Sequence, residues 1–347
     1  MKKLILILVL ALLVSCSKNE EKKSASNIDK TKQIDDQLLT APKADSFILR
    51  YKFKKNEKLQ YRITTNSENN QLIEGDTVIS TATQQNVKYL INLLVKEIDS
   101  KNDAIINLTI KSIVSDGTVN GEKISYDSKY IFSTQERKIF AQYEAVKNKT
   151  FTVKISESGK ILEIFNLQKI VDELIDIQQQ TGSLTIDQKN SLVNNFRDAA
   201  LRPLVQQLFR KFPSDPVGVN SVWEEKYYTK FAMFDVENVA SYQVKNVEVQ
   251  NNDSLVTISA GLSINWTGNH EATDQGVKYY FYDPVVSGSG LVIFNNSRGL
   301  LLHSETSTSM ELVIDMEGMD SANNIIKGKR TDNTVNKNIV ELVKKSS

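Results

Sequence analysis

The feature that most constrains the fold of this chain is an alternation of apolar and polar residues with a period of two. From residue 256 to residue 266 the apolar side chains come from Val256, Ile258, Ala260, Leu262, Ile264 and Trp266. Each residue between them is polar or glycine. Because successive side chains of a β-strand point to opposite faces, the pattern predicts a strand with one buried and one wet face. Such strands are typical of an antiparallel sheet that is covered on one side.

The same alternation predicts two long β-hairpins. In the first, alternating runs at residues 87–95 and 106–114 flank the turn sequence DSKND. In the second, residues 242–249 and 256–266 flank the turn sequence QNNDS. The apolar phase of the second hairpin slips at Lys245–Asn246, which predicts a β-bulge in its first strand.

Two shorter hairpins are predicted at residues 151–165 and 290–314, each with a glycine in the turn. Glycine reaches positive φ without a steric penalty, so it favours a tight turn. A tyrosine-rich amphipathic segment precedes each long hairpin, at residues 48–65 and 222–236. The order of segment, long hairpin and glycine hairpin therefore occurs twice, and we predict two similar β halves.

Between these halves the apolar period becomes that of a helix. A stripe at helical spacing is formed by Leu167, Ile170, Val171, Leu174 and Ile175. Thr185 and Gln188 predict a capping box at the start of a second helix, and Pro203 predicts a kink or a break near Leu201. We therefore predict an α+β fold, mostly antiparallel β, in which two similar β-sheet halves are joined by an amphipathic helical section.

The N-terminus has the layout of a secretory signal peptide. Lys2 and Lys3 form a positive region, residues 4–14 are uninterruptedly apolar, and the small Ser15 precedes Cys16. At about 1.5 Å per residue, the apolar run covers roughly half of the ~30 Å hydrocarbon core of a bilayer, so it is too short to span it. Cys16 is the only cysteine of the chain, which excludes an intrachain disulfide.

The residues LVSC at positions 13–16 resemble the lipobox of bacterial lipoproteins. The resemblance implies cleavage between Ser15 and Cys16, and attachment of diacylglycerol and a further fatty acid such as palmitate to Cys16. Two or three chains on one residue hold a protein at a membrane far better than one chain. Ser17 in place of aspartate favours the outer membrane in that family. The run Ser17–Glu21 is similar to a surface-export tag and equally compatible with a solvated spacer, so the periplasmic side and the cell surface both stay open.

The predicted segments follow from these observations. They are a signal peptide at 1–15, a lipidated cysteine with a flexible tether at 16–45, a first β half at 46–165, a helical section at 166–212, a second β half at 213–320 and a C-terminal tail at 321–347. The tether prediction rests on a composition of Ser, Lys, Asn, Asp and Glu, which cannot bury enough apolar area to offset the entropy of ordering.

Charge and composition exclude some classes of partner. The chain has 43 Lys and Arg against 42 Asp and Glu, so its formal net charge of +1 gives no basic surplus for nucleic acid. With two histidines and one cysteine we expect no transition-metal site, and we expect no cofactor.

Two stretches of the folded part resemble an uncharacterised bacterial lipoprotein family that is known only as a domain of unknown function. They are FPSDPVGVNSVW at 212–223 and YKFKKNEKLQYRIT at 51–64. The resemblance covers much of residues 47–315. It implies no established activity, and therefore no catalytic residue.

Three groups of residues could carry chemistry, and we expect none of them to be catalytic. His270 lies in a polar loop, and His303 with Glu305 is expected on the wet face of a strand. The four aromatic residues 279–282 are expected in a buried or edge strand, with an exposed sugar-binding platform as the alternative. No nucleophile elbow, zinc-protease pair or Walker loop occurs in the sequence.

We expect a lipid-anchored outer-membrane protein with a non-catalytic binding or structural role. The main alternative is a carrier of a lipid or another apolar ligand, since a curved sheet capped by amphipathic helices can enclose a cavity. A hydrolase has no specific support in the sequence. The expected partners are the membrane, through the lipid anchor, and the apolar ligand if the chain is a carrier.

Overall fold

The computed structural model describes residues 46–179, 182, 184–231, 234–267, 270–274, 276–319 and 324–346. The strands in this part of the chain are β1 (Lys58–Glu74), β2 (Val78–Ile98), β3 (Ala104–Val119), β4 (Glu122–Asp127), β5 (Thr150–Ile155), β6 (Ile161–Phe165), β7 (Val222–Phe231), β8 (Phe234–Gln250), β9 (Asp253–Thr267), β10 (Glu271–Asp274), β11 (Val277–Phe281), β12 (Val285–Asn295), β13 (Leu300–Met319) and β14 (Ile325–Ser346). The helices are α1 (Thr134–Ile139), α2 (Ala141–Val146), α3 (Gln168–Ile177), α4 (Ile186–Phe196) and α5 (Arg202–Leu208).

These strands form one sheet, and all their pairings are antiparallel. The main path runs β6-β5-β3-β2-β1-β14-β13-β12-β9-β8-β7, with β4 paired to β3 and the β10–β11 hairpin paired to β13. Most neighbours in this order are also neighbours in sequence, because hairpins connect them. Three pairs are not consecutive: β3 pairs with β5, β9 pairs with β12, and β1 pairs with β14, which lies between β1 and β13 in the middle of the sheet.

The prediction of two β-sheet halves joined by a helical section is wrong. β14 pairs with β1 from Lys329 to Ser346 and with β13 from Ile325 to Glu341, so strands of both predicted halves belong to one continuous sheet. The segment set apart as a C-terminal tail therefore contributes a central strand. Its alternation is masked because both of its faces are largely polar. The mostly antiparallel β character of the prediction is confirmed.

The individual hairpins agree with the sequence pattern. β2–β3 and β8–β9 are the two long hairpins, and β5–β6 and β12–β13 are the two glycine hairpins. The register of β8 shifts between Val244 and Asn246, which confirms the predicted bulge. In β13, residues 306, 308 and 310 share one face of the sheet, and His303, Glu305 and Ser307 share the other.

The helices lie on one side of the sheet, which we call the inner face. A row of inner-face residues crosses five neighbouring strands: Thr65, Asn338, Thr306, Gly290 and Ala260. The predicted capping box at α4 is confirmed, since Thr185 and Gln188 bond reciprocally. A π-helical turn at Arg197–Leu201 separates α4 from α5, and Pro203 lies in the first turn of α5. The kink or break predicted near Leu201 takes the form of this π-helical turn within a continuous helical segment, because proline cannot donate the backbone hydrogen bond of a regular α-helical turn.

The main apolar core lies between the inner face and part of the helical section. Its largest fully buried side chains include Phe151, Phe294, Leu49, Ile63, Ile91 and Ile106. Val205 and Leu208 of α5 and Ile170 of α3 belong to the same cluster. Each such side chain stabilises the fold by roughly 1.5–3 kcal/mol relative to an exposed position.

The N-terminal end of the described chain ties the ends of several strands together. Phe47 exchanges two 2.8 Å backbone hydrogen bonds with Val217. Tyr51 N donates to Glu157 O in the β5–β6 turn at 2.7 Å, and Lys52 N donates to Gly299 O in the β12–β13 turn at 3.2 Å. Residues 46–57 thus connect the turns of both glycine hairpins.

Candidate functional site

The predicted lipidation and cleavage residues, Cys16 and Ser15, lie outside the described residues, as do the signal peptide and nearly all of the tether. Both remain predictions. Within the described part of the chain, no helix is long and apolar enough to cross a membrane. Among the same residues, no group of three or more His, Cys, Asp or Glu side chains is close enough to hold a metal ion.

The structure separates the two histidines and gives each a local role. His270 Nδ1 lies 2.8 Å from Phe281 O, and its ring stacks on Tyr280 at a centroid distance of 6.0 Å. Glu305, the orienter that a His303 base would need, is bound by Lys337 Nζ at 2.6 Å. That hydrogen bond lowers the pKa of Glu305. Among the described residues, His270 and His303 therefore do not contribute to one common site.

Of the aromatic residues 279–282, the first three lie in the paired strand β11, and Tyr282 directly follows it. Phe281 is buried, and it packs with Leu312 and Ile314 in a small second core. Tyr280 and Tyr282 are exposed on the other side, and their rings meet edge to face at 5.0 Å. The strand interpretation is confirmed, and the exposed tyrosines are anchored within the sheet, with Tyr282 donating to Asp315 at 2.8 Å.

A cavity of about 810 Å³ lies between the inner face and the helical section. Its roof comes from the end of α4, the π-helical turn, α5 and the residues that follow. Its floor comes from β1, β14, β13, β12, β9 and β8, and its side walls come from β7 and the β5–β6 turn. Apolar lining is supplied by Ile161, Leu162, Pro203, Phe209, Tyr242, Leu262 and Val292.

The middle of the cavity floor is polar and internally bonded. Thr65 Oγ1 donates to Asn338 Oδ1 at 2.8 Å, and Ser67 Oγ donates to Asn336 Oδ1 at 2.7 Å. Ser67 and Asn336 are both at least nine-tenths buried. The small inner-face residues Gly290 on β12 and Ala260 on β9 leave open space above this part of the sheet. The sheet therefore presents a shallow polar strip instead of a filled core in this region.

An ion-pair network crosses the cavity roof. Asp198 Oδ2 contacts Arg197 Nη2 at 2.8 Å, and Asp198 Oδ1 contacts Arg202 Nε at 3.1 Å. The guanidinium of Arg197 beside it, with that of Arg202, lowers the pKa of Asp198. The network fixes the direction of the π-helical turn and leaves the roof cationic overall.

Three side chains at the end of the roof have polar atoms that are buried and without a hydrogen-bond partner in the described chain. They are Gln206 Oε1, Gln207 Oε1 and Arg210 Nε, and all three residues line the cavity. Gln207 is only 8% exposed. Buried polar atoms are nearly always bonded in native proteins, so a cluster of exceptions needs a physical explanation.

Arg210 is held rigidly despite its incomplete bonding. Its backbone N donates to Tyr51 Oη at 2.8 Å, and its Nη2 donates to Ser304 Oγ at 3.0 Å. Tyr51 is itself wedged between Phe212 and Phe294. Gly159 has φ +86°, and a Cβ there would lie 2.1 Å from Arg210 O, so only glycine fits beside this backbone. The position of the guanidinium is therefore set by the end of the sheet.

A second, smaller depression of about 280 Å³ lies at the end of the sheet and is lined by Lys52, Lys54, Ser297, Arg298 and Lys345. Most of these cations already have partners. Arg298 pairs with Asp253 at 2.7 Å, Lys345 pairs with Glu57 at 2.8 Å, and Lys52 Nζ donates to Asn296 O at 2.9 Å. We interpret this basic cluster as structural.

The place of the cavity, between sheet and helices, agrees with the sequence pattern, but its residues were not predicted. The cavity is partly open to solvent, and its lining mixes apolar with charged and amide groups. The missed signal lies in PLVQQLFR at residues 203–210, where two glutamines interrupt an otherwise apolar helix. Their positions on a buried helix face could have marked a polar pocket.

Comparison with known families gives one match. Residues 101–301 match the model of a family of unknown function, DUF6263. The chain belongs to this family. The matched residues include the whole helical section and strands β3 to β12, and thus the cavity roof. The predicted membership of an uncharacterised family is therefore confirmed. No curated protein matches the chain.

Solved structures show only remote likeness. A structure titled for lipid–protein interactions in lipovitellin gives a TM-score of 0.41 at 9% identity, covering 85% of this chain and 26% of that one. The chain thus spans about a quarter of that protein. An outer-membrane channel from Pseudomonas putida F1 gives a TM-score of 0.20 at 9% identity, covering 84% of this chain and 97% of that one.

Proposed function

We propose that this chain is a lipid-anchored envelope protein whose folded part binds a small ligand in the inner-face cavity, without catalysis. The observation that carries the proposal is the cavity of about 810 Å³ between sheet and helices. Ligand pockets commonly have volumes of about 300–1,000 Å³, with apolar walls and a few convergent polar groups. The lining described above has this composition.

The proposed location rests on the N-terminal sequence. LVSC at residues 13–16 supports a lipid on Cys16, and Ser17 supports the outer membrane. Either side of that membrane is compatible with the sequence. A domain held there by its own lipid is suited to capturing or passing on a ligand at the membrane surface.

The cavity indicates the role of the protein more specifically than the packed part of the fold does. The core beneath α3 and β5 is solidly packed, as a purely structural domain requires. α5 contributes Val205 and Leu208 to that core, but on its other side and next to α4 the inner face carries small and polar side chains and borders the cavity. A domain with a purely structural role would gain stability from apolar residues at these positions. Their absence supports binding as the role of this region.

A dye-binding experiment tests the proposal. The full chain, lipidated and held in nanodiscs, is titrated with the neutral fluorescent dye N-phenyl-1-naphthylamine, with empty nanodiscs as the blank. We expect saturable binding. The variant Ala260→Phe projects a ring from the floor of β9 into the cavity, and we expect it to weaken dye binding at least about tenfold.

The matched control is Ser263→Phe, which adds the same ring on the outer face of the same strand. We expect this variant to bind the dye as the unmodified chain does. Equal binding by both variants, with both shown to be folded by circular dichroism, would refute the cavity as the binding site.

A further inference from the structure

We infer that the ligand of the cavity is an amphipathic anion: an apolar body with one anionic group that is bound by Arg210 and flanked by Gln206 and Gln207. The inference rests on the proposed binding function and specifies its ligand class. It follows from the charge of the lining, from the unsatisfied polar atoms and from their position relative to the apolar walls.

The charge of the lining is strongly unbalanced. Six cationic side chains line the cavity, from Lys160, Arg197, Arg202, Arg210, Lys211 and Lys226. Only two carboxylates, Asp198 and Glu225, line it as well. The whole chain has a net charge of only +1, so the excess is specific to this region. A cationic cavity with low-dielectric walls concentrates anions.

Most of these cations are neutralised within the protein, and Arg210 is not. Asp198 pairs with Arg197 and Arg202, Lys211 pairs with Glu225, and Lys226 lies 3.8 Å from Glu237. In the described part of the chain, no carboxylate lies within ion-pair distance of Lys160 or Arg210. Lys160 is exposed at the edge of the cavity, whereas Arg210 is partly buried. Arg210 is therefore the partly buried cation of the cavity lining that has no carboxylate partner among the described residues.

Part of the hydrogen-bonding capacity of Arg210 is also unused, although its Nη2 donates to Ser304 Oγ. Arg210 Nε–H is a buried donor without an acceptor, and the amide oxygens of Gln206 and Gln207, which precede it in sequence, are buried acceptors without donors. All three side chains line the cavity, so when they turn toward a ligand an anionic group satisfies the guanidinium, and a hydroxyl or a bound water beside that group satisfies the amides. An unbonded buried polar atom costs about 1–3 kcal/mol, so a ligand that bonds these atoms recovers that cost.

The apolar walls determine the rest of the ligand. Phe209 is adjacent in sequence to Arg210, and Leu162, Leu262, Val292 and Tyr242 line the same cavity. An inorganic anion would fill only the polar end of about 810 Å³ and leave this apolar surface wet. An apolar body attached to the anionic group removes that surface from water at roughly 25 cal/mol per Å².

Isothermal titration calorimetry of the full lipidated chain in nanodiscs tests the inference with three probes: octanoate, octanol and inorganic phosphate. We expect octanoate to bind at least about tenfold more tightly than octanol, because hydrogen bonds to a charged group contribute most. We expect phosphate to bind more weakly than octanoate. Arg210→Met should lower octanoate affinity at least about tenfold and leave octanol affinity within about twofold.

Three variants serve as controls and keep the test independent of folding. Arg210→Lys retains the charge and should retain part of the preference for octanoate. Gln207→Met should weaken octanoate binding and raise the melting temperature, because it removes a buried unbonded amide. Arg62→Met removes an exposed arginine paired with Glu341 outside the cavity and should change neither affinity.

The outcomes separate this inference from the proposed function. Binding of none of the probes would refute both. Equal binding of octanoate and octanol, unchanged in Arg210→Met, would refute the anionic ligand and leave a neutral cavity site. Phosphate binding as tight as that of octanoate would refute an amphipathic ligand and indicate a small free anion.

Discussion

Glu144 illustrates how individual charged residues support this fold. Its carboxylate is 3% exposed and accepts hydrogen bonds from Tyr126 Oη at 2.8 Å, Arg137 Nε at 3.2 Å and Lys147 Nζ at 2.5 Å. Burial acts to raise the pKa of Glu144, but the bonds from Lys147, Tyr126 and Arg137 outweigh it and lower the pKa below its usual value. The carboxylate fixes α2 to β4, next to the stacked rings of Tyr126 and Phe132.

A pH-dependent loss of stability is therefore predicted for Glu144→Gln. Because the folded-state pKa is depressed, the carboxylate contributes stability above its unfolded pKa of about 4.3, and this contribution is lost as the pH falls through the folded pKa. We expect the variant to lose about 3 kcal/mol of unfolding free energy at pH 7. The difference from the unmodified chain should shrink below about pH 4.

Urea unfolding at pH 7 and below about pH 4 checks this prediction. Glu122→Gln, at an exposed position of the same strand that carries Tyr126, is the matched control and should cost less than about 0.5 kcal/mol. A loss for Glu144→Gln that is equally large at acidic pH would show that shape, and not charge, determines the role of this residue.

At the scale of elements, β14 joins the two ends of the chain's strand order into one sheet. It is the only strand of the described chain that pairs with β1 on one side and β13 on the other, and so it joins the N-terminal and C-terminal strands. Val340 on its inner face is fully buried, whereas Val343 is 43% exposed. Val343 also lies at the register shift against β1 and beyond the pairing with β13, so it is an exposed control position on the same strand.

Val340→Asp should destabilise the protein by at least about 3 kcal/mol, because it places an unpaired charge in the centre of the sheet. Val343→Asp should change the unfolding free energy by less than about 0.5 kcal/mol. Thermal unfolding followed by circular dichroism compares them directly. Similar melting temperatures for both variants would show that β14 is a dispensable tail.

The same element shows which parts of the fold the sequence predicts. The hairpins β2–β3 and β8–β9 were predictable, since each has an apolar inner face over most of its length. β14 was not, because its inner face carries Arg330, Asp332, Asn336 and Asn338, which line or border a polar region. Because both faces of β14 are largely polar, its sequence does not show the apolar–polar alternation that marks a strand. If β14 is not recognised as the strand that links β1 to β13, the remaining sequence pattern predicts two separate β halves.

The candidate site was predictable only in outline. Amphipathic helices over a curved sheet indicate a space between them, and the structure has one. Its polar residues come from strands and turns far apart in sequence: Ser304 and Arg210 are 94 residues apart and bond at 3.0 Å. No local motif records such a pairing, since register and the position of β14 create it.

At the scale of the whole molecule, the inner face divides into a packed core and an open cavity. The packed part, which includes side chains of α2, α3 and α5, supplies stability without a disulfide. The open part, bordered by α4, the π-helical turn and the other side of α5, has room for a ligand. The proposed lipid on Cys16 would hold both parts at a membrane, so binding and location would be independent properties.

Cell fractionation of Cys16→Ser tests this independence. We expect the unmodified protein to sediment with membranes and the variant to remain unprocessed or to become soluble, because it has no thiol to receive the lipid. Lys18→Ser, two residues further along, is the control and should sediment with membranes. A Cys16→Ser protein that is processed normally and still sediments would refute the lipid anchor.

The most direct test of the cavity's role is native mass spectrometry of the full-length protein, released from nanodiscs after incubation with octanoate. We expect one added octanoate per chain in the unmodified protein and in Arg62→Met, and its loss in Ala260→Phe. A mass equal to that of the lipidated polypeptide alone, unchanged by octanoate at any concentration tested, would refute the cavity as a binding site.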